Sequence, residues 1–230
     1  AYFAALSGLP PPYTQEVLNE KVRAALTMQS EAEREEAWTE ILSALHEQAT
    51  ELPFAGKRIP AVTGKRLAGY TPGHQQFDYP AHSIRVLNGP RTVTVAPGAQ
   101  TGLFSNETGV GRLDAHSYRP NEFFANNWVY DGLVDYGAGG KVLPALATSW
   151  SVADRPGRDG QEYTFKLREG VEFSDGAAWN CSVAELNIAH VLAPPLTTAD
   201  YHGWYGLPGQ IDGWRCADDY TLVLTTKEFY

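Results

Sequence analysis

Apolar residues recur at helical spacing twice within the first fifty positions. Leu18, Val22, Ala25 and Leu26 share one helical face. With Thr14 placed to cap it, the pattern predicts a helix over 14–28. A stronger pattern follows, in which Ala37, Trp38, Ile41, Leu42, Leu45 and Ala49 keep the same period. Ser30 and Glu33 precede it as a capping box, each side chain satisfying a free backbone N–H of the first turn. Glu31, Glu33, Glu35 and Glu36 suit the positive end of the helix dipole, so this acidic run reads as a solvated helix start and not as a carboxylate site. Pro53 is expected to end the helix.

The pattern then changes. Five prolines and five glycines between 53 and 90 break the chain into short strands and turns, and Asn88-Gly89-Pro90 is the clearest punctuation. Thr92–Ala96 reads as a short strand, 97–120 as a glycine-rich loop, and 121–133 as a helix with Phe124, Trp128 and Val129 on one side. Tyr163–Arg168 alternates apolar and polar positions, as a half-buried strand should. Val171–Phe173 continues as a strand into a Ser174-Asp175-Gly176 turn. A helix over 181–192 is expected to start with a Ser182–Glu185 capping box. The last strand is read at Tyr220–Thr226, after Asp218-Asp219.

Composition narrows the function classes. The chain has 230 residues, 43% hydrophobic and 20% charged, a globular composition sufficient for one large domain or two small ones. No run approaches the ~20 apolar residues of a membrane-spanning helix. The net charge is −9, which argues against nucleic acid as a partner, because phosphate neutralisation needs a basic surface. The imbalance is concentrated after the Asn88–Pro90 break: residues 1–89 hold 10 acidic and 8 basic side chains, and the remainder 17 and 10. The opening AYFAALSGLPPPY shows no signal peptide, and both ends read as cuts through a longer chain.

The chemistry-bearing residues point to binding and not to catalysis. No GxSxG elbow, Walker loop, HExxH or CxxC is present. Gly109–Gly111 and Gly137–Gly140 read as turns. No two histidines sit at i, i+4, so no metal site is declared by spacing and no cofactor is implied. His46 and His190 fall in helices and read as structural, while His74 and His82 lie among turns. His116, near Tyr118, and His202, between Tyr201 and Trp204, lie in aromatic loops, where recognition residues concentrate. Cys181 and Cys216 read first as two independent, partly buried thiols. A single disulfide in an oxidising compartment is the alternative.

Three motifs then carry a resemblance: Val129-Tyr130-Asp131-Gly132-Leu133-Val134, Pro144-Ala145-Leu146-Ala147-Thr148-Ser149-Trp150, and Tyr163–Arg168 running on to Phe173-Ser174-Asp175-Gly176. In order and spacing they resemble the start of the large extracytoplasmic solute-binding proteins of ABC importers, the family that takes up peptides and nickel chelates. Glu33-Arg34, Trp38, Ile41, Leu45-His46-Glu47 and Leu52-Pro53 resemble a late helix of the same family. Residues 1–89 thus resemble the family's C-terminus and 90–230 its N-terminus, in reversed order, closest to the nickel-binding branch.

The resemblance implies an α/β fold of mixed α+β character. The expected architecture is one composite lobe of a type II periplasmic-binding-protein-like fold, permuted or cut across a tandem junction. It implies no enzymatic activity. Instead it implies capture of a small solute, a peptide or a metal chelate, outside the cytoplasm (in the periplasm), and delivery to the membrane permease of an importer. A second lobe, or self-association, would complete the cleft. A scaffold module that keeps only the fold is the alternative.

Phe123, Tyr118, Tyr201, His202 and Trp204 are the ligand-binding residues it implies. Phe123 stands where the nickel branch has Met, and Tyr201 where it has an Arg that would pair with an anionic chelator. The branch's metal-side His would lie before Ala1. The surviving aromatics favour an uncharged or peptide-like solute that stacks on them.

Overall fold

The computed structural model describes residues 14–28, 30–48, 55, 62–71, 81–94, 115, 128–137, 141–193 and 207–228. The chain divides into two compact units, Ala1–Arg58 with Glu228–Tyr230, and Ile59–Lys227.

In the first unit both expected helices form. Helix α1 is Gln15–Leu26, and the Thr14 hydroxyl accepts from the Val17 N–H. Helix α2 is Glu31–Glu47, and Ser30 Oγ accepts from the Glu33 N–H. The short connection folds them into a helical hairpin. Leu18, Ala25, Ile41 and Leu45 form its buried core, flanked by Val22, Ala37 and Trp38. Lys21 Nζ meets Glu40 Oε1 at 2.8 Å across the pair. The apolar stripes are narrower than the sequence pattern implies, since Leu26 and Leu42 are exposed. Helix α2 ends at Glu47 with Gln48 as its C-cap, earlier than Pro53 requires.

In the second unit a small hairpin pairs β1 (Leu67–Ala68) with β2 (Arg85–Val86). A second pairs β3 (Val134–Tyr136) with β4 (Val142–Pro144), closed by the Gly137 N–H donating to the Lys141 carbonyl. The main sheet is antiparallel and four-stranded, in the order β5–β6–β8–β7: β5 is Ala147–Asp154, β6 Gln161–Leu167, β7 Ile211–Asp218 and β8 Thr221–Thr226. Helix α3 (Cys181–Val191) packs on β7 and β8, and a single turn of helix, α4 (Leu207–Gln210), precedes β7. Helices and strands together make the mixed α/β fold that the sequence implies.

Register places two apolar rows on one face of this sheet. Trp150, Phe165, Leu222 and Cys216 lie side by side, and Val152, Tyr163, Leu224 and Trp214 lie in the next row. The other face carries Ser151, Thr164, Val223 and Arg215. Helix α3 covers part of the apolar face. Leu167, Leu222, Trp179, Cys181 and Ala184 form the buried cluster, with Phe165, Val183, Ile188 and Cys216 against it.

Several expectations are corrected. Cys181 and Cys216 are not independent thiols: they form a disulfide joining the first residue of α3 to β7, with Cα atoms 5.8 Å apart. The cap of α3 is Asn180, whose Oδ1 accepts from the Val183 N–H. Ser182 lies inside the first turn, and Glu185 instead accepts from the Cys216 N–H. The helix read over 121–133 does not reach 133. Trp128 and Val129 are helical, but the Gly132 and Leu133 carbonyls accept from Leu146 and Ala147 N–H, which draws the chain into strand pairing. Of the strand expected over Thr92–Ala96, the described residues 92–94 are not strand, and among the described residues no strand pairs with them. Of Val171–Phe173, Glu172 makes a single bridge to Ala178.

The turn at Ser174–Gly176 forms as read. Asp175 Oδ1 accepts from the Ala177 N–H and Gly176 sits at φ +85°. Gly160, at φ +86°, has no substitute either, because a Cβ there would run into the Thr226 carbonyl.

Candidate functional site

Tyr118, Phe123, Tyr201, His202 and Trp204, with His74, His116, Gly109–Gly111 and the metal-side position before Ala1, lie outside the described residues. What the structure does give is the framework that carries them. Residues 194–206, which hold Tyr201, His202 and Trp204, leave the end of α3 and return through α4 into β7. Those two anchors are tied together. The disulfide joins α3 to β7. Glu185 on α3 accepts from the Cys216 N–H at 3.1 Å, and the Cys181 N–H donates to the Asp219 carbonyl at 2.8 Å. The described elements on either side of residues 194–206 are therefore held together. The stretch holding Tyr118 and Phe123 runs into Trp128 and then β3, and Leu133, between them, packs against the α3 cluster.

At the far end of the sheet a polar network fixes the β5–β6 turn. Arg155 Nη1 donates to Asp212 Oδ2 at 2.7 Å and to the Thr226 carbonyl at 2.9 Å. Buried Gln161 donates its backbone N–H to Thr226 Oγ1 and accepts from Tyr163 OH, both at 2.9 Å. These groups are occupied with one another and read as structural.

Asp218 is the one described carboxylate held clearly below its ordinary value. The causes are the backbone N–H of Tyr220 donating to it, then the Thr221 hydroxyl, with a smaller contribution from the Lys166 charge. Its hydrogen bond to the Tyr220 N–H stiffens the β7–β8 turn. Among the described residues, no three His, Cys, Asp or Glu side chains come together as metal ligands. No helix among them is long and apolar enough to cross a membrane.

A shallow depression of about 510 Å³ is lined by Gly64, Lys65, Arg66, Leu67, Val93 and Thr94. No motif in the sequence marks Lys65 or Arg66 for a role. The Arg66 guanidinium is engaged with the Thr92 carbonyl.

Comparison with known proteins supplies what these residues alone do not. Residues 141–230, which hold β4 to β8 with α3, match the model of the bacterial extracellular solute-binding proteins, family 5. The nickel-binding periplasmic protein of Escherichia coli (strain K12) is 37% identical over 121 residues, 53% of this chain and 22% of that protein. Di/tripeptide-binding protein 1 of Pseudomonas aeruginosa is 38% identical over 92 residues, 38% of this chain and 16% of its own length. Among solved structures, NikA from Brucella suis in complex with Fe(III)-EDTA is 39% identical, covering 55% of this chain and 24% of that one, with a TM-score of 0.46. The chain therefore spans about a fifth of the length of the curated relatives it matches, and those relatives are named for binding solutes and not for catalysis. Residues 141–230 are thus similar to the bacterial extracellular solute-binding proteins, family 5 Middle.

Proposed function

We propose that the chain is part of a receptor that captures a small solute outside the cytoplasm and hands it to an ABC importer. The observation that carries this is the family match over 141–230. Relatives that bind nickel, glutathione and di- or tripeptides set the solute range to be tried. Phe123, Tyr118, Tyr201, His202 and Trp204 are the proposed contacts. The solute is peptide-like or uncharged, because Phe123 and Tyr201 offer ring faces where a thioether and a guanidinium would favour a metal chelate. Residues 1–89 and 90–230 are proposed to form one composite lobe, completed by a second lobe elsewhere in the receptor.

Two facts support action outside the cytoplasm: the periplasmic relative and the Cys181–Cys216 disulfide, a bond that persists in oxidising compartments.

Titration with dipeptides, glutathione and a nickel–histidine chelate, followed by tryptophan fluorescence, tests the reading. The wild type is expected to give a saturable change with the peptide-like solutes, and Trp204→Ala to bind at least about tenfold more weakly, a loss of about 1.4 kcal/mol. Identical curves for the two proteins would remove Trp204 from the site.

A further inference from the structure

Charge is unevenly placed along the chain. Acidic residues outnumber basic ones by 27 to 18, yet between Glu51 and Glu107 there are six Lys or Arg and a single acidic residue, Asp78. The structure shows where four of these cations go. Lys65, Arg85 and Arg91 are exposed and Arg66 is half-buried, and all four lie on or beside the β1–β2 pair. Among the described residues none of them makes an ion pair with a carboxylate. Like charges gathered on one surface repel each other, and an anionic partner offsets the repulsion.

Register gives this surface its character. Ala68 pairs with Arg85, and the Leu87 N–H donates to the Arg66 carbonyl, which continues the ladder. Arg66, Arg85 and Leu87 therefore stand on one face, with Leu67 and Val86 on the other. The Arg66 guanidinium is held by the Thr92 carbonyl and lies over Gly89, where a Cβ would come within 3.3 Å of Nη1. Arg85 lies over Gly69, where a Cβ would come within 3.3 Å of Nε. Gly89 follows β2 and Gly69 follows β1, so the two cations turn to opposite ends of the pair. They do not converge on one small anion, and the depression beside Lys65 and Arg66 is shallow and not closed around a ligand. Leu87, on the same face, is 61% exposed, and Val62, three residues before Lys65, is 92% exposed. We infer that this face docks on an anionic phospholipid surface.

Spread cations with bare apolar side chains among them are what such a surface takes. Lys and Arg meet the phosphate head groups while an apolar side chain enters at the acyl boundary. Each cation held near the lipid contributes roughly fivefold in affinity. The attraction acts within about 10 Å at 0.1 M salt. The acidic residues elsewhere in the chain are screened from the bilayer beyond that range, so the basic face sets the orientation. The inference rests on the β1–β2 pair and stands independently of solute capture.

Co-sedimentation with vesicles tests it, with equal parts phosphatidylglycerol and phosphatidylcholine set against phosphatidylcholine alone. The chain is expected to bind the first at low salt and not the second. At about 1 M salt, where the Debye length falls to about 3 Å, binding is expected to weaken at least about tenfold. Arg85→Glu and Lys65→Glu, checked for folding by circular dichroism, are each expected to bind at least about fivefold more weakly. Lys141→Glu makes the same change in net charge at an exposed residue between β3 and β4, and is expected to bind as the wild type does. Leu87→Ser is expected to weaken binding without changing its salt dependence. No binding to the anionic vesicles overturns the inference, as does equal binding to both kinds of vesicle or an equal loss in all three charge variants. So does a chain that pyrophosphate saturates and vesicles do not hold, which would make the face a site for small anions. Unchanged binding by Leu87→Ser overturns it in favour of a soluble acidic partner.

Discussion

Asp218 shows how a residue that looks chemical can be structural. In the sequence it is one of an acidic pair before a strand. In the structure it accepts from the Tyr220 N–H at 2.9 Å, which holds its carboxyl below the ordinary value of 3.8. A carboxylate whose pKa is lowered on folding adds stability above its unfolded value and loses it as pH falls through the folded value. The thermal-midpoint difference between wild type and Asp218→Ala is therefore expected to be full above about pH 5 and to close under stronger acid. A difference constant across that range would mean the carboxylate charge is not involved.

Trp179 is the opposite case. It is 5% exposed and packs edge-on to Phe173, and among the described residues its indole N–H has no acceptor. Trp179→Ala should cost about 3–5 kcal/mol. Trp179→Phe should cost far less, since it also removes an unpaired buried donor worth about 1–3 kcal/mol. Denaturant midpoints of the two variants check this, and equal losses would contradict it.

Among the elements, those with a local signal were readable and those made by pairing were not. Helices α1 and α2 announce themselves through Thr14, Ser30 and the Leu18–Ala25 and Ile41–Leu45 spacings. Strand β6 does so through alternation, because one of its faces is buried and the other is polar. Strand β5 alternates too, but with serines against Trp150 and Val152, and its motif is legible as a family signature before it is legible as a strand. The disulfide was hidden for a related reason: 35 residues separate its cysteines, and only the packing of α3 on β7 brings them together.

That bond makes an element-level prediction. Closing a loop of this length contributes about 3–4 kcal/mol on the chain-entropy account. The double variant Cys181→Ser, Cys216→Ser should lose stability of that order and become indifferent to reductant, while the wild type is destabilised by reduction. If reductant shifts both proteins equally, or neither, the bond does not staple α3 to the sheet.

For the whole molecule, the mixed α/β fold and the likeness of residues 141–230 to family 5 were readable, and the proposed solute contacts were less so. The motifs from Val129 to Gly176 are rich in turn glycines and in aromatic or branched strand residues, which the backbone dictates, so they survive as a recognisable string. The proposed solute contacts leave no such string, and at Phe123 and Tyr201 they depart from the pattern they resemble. The described framework is fixed by the α3 disulfide, the Glu185 contact and the Arg155 network. The central claim is that this framework serves to capture a solute, and isothermal titration against dipeptides, glutathione and a nickel–histidine chelate measures it directly. Saturable heat from a peptide-like solute, weakened at least about tenfold in Trp204→Ala, is the result expected. No heat from any of the three classes would contradict the account.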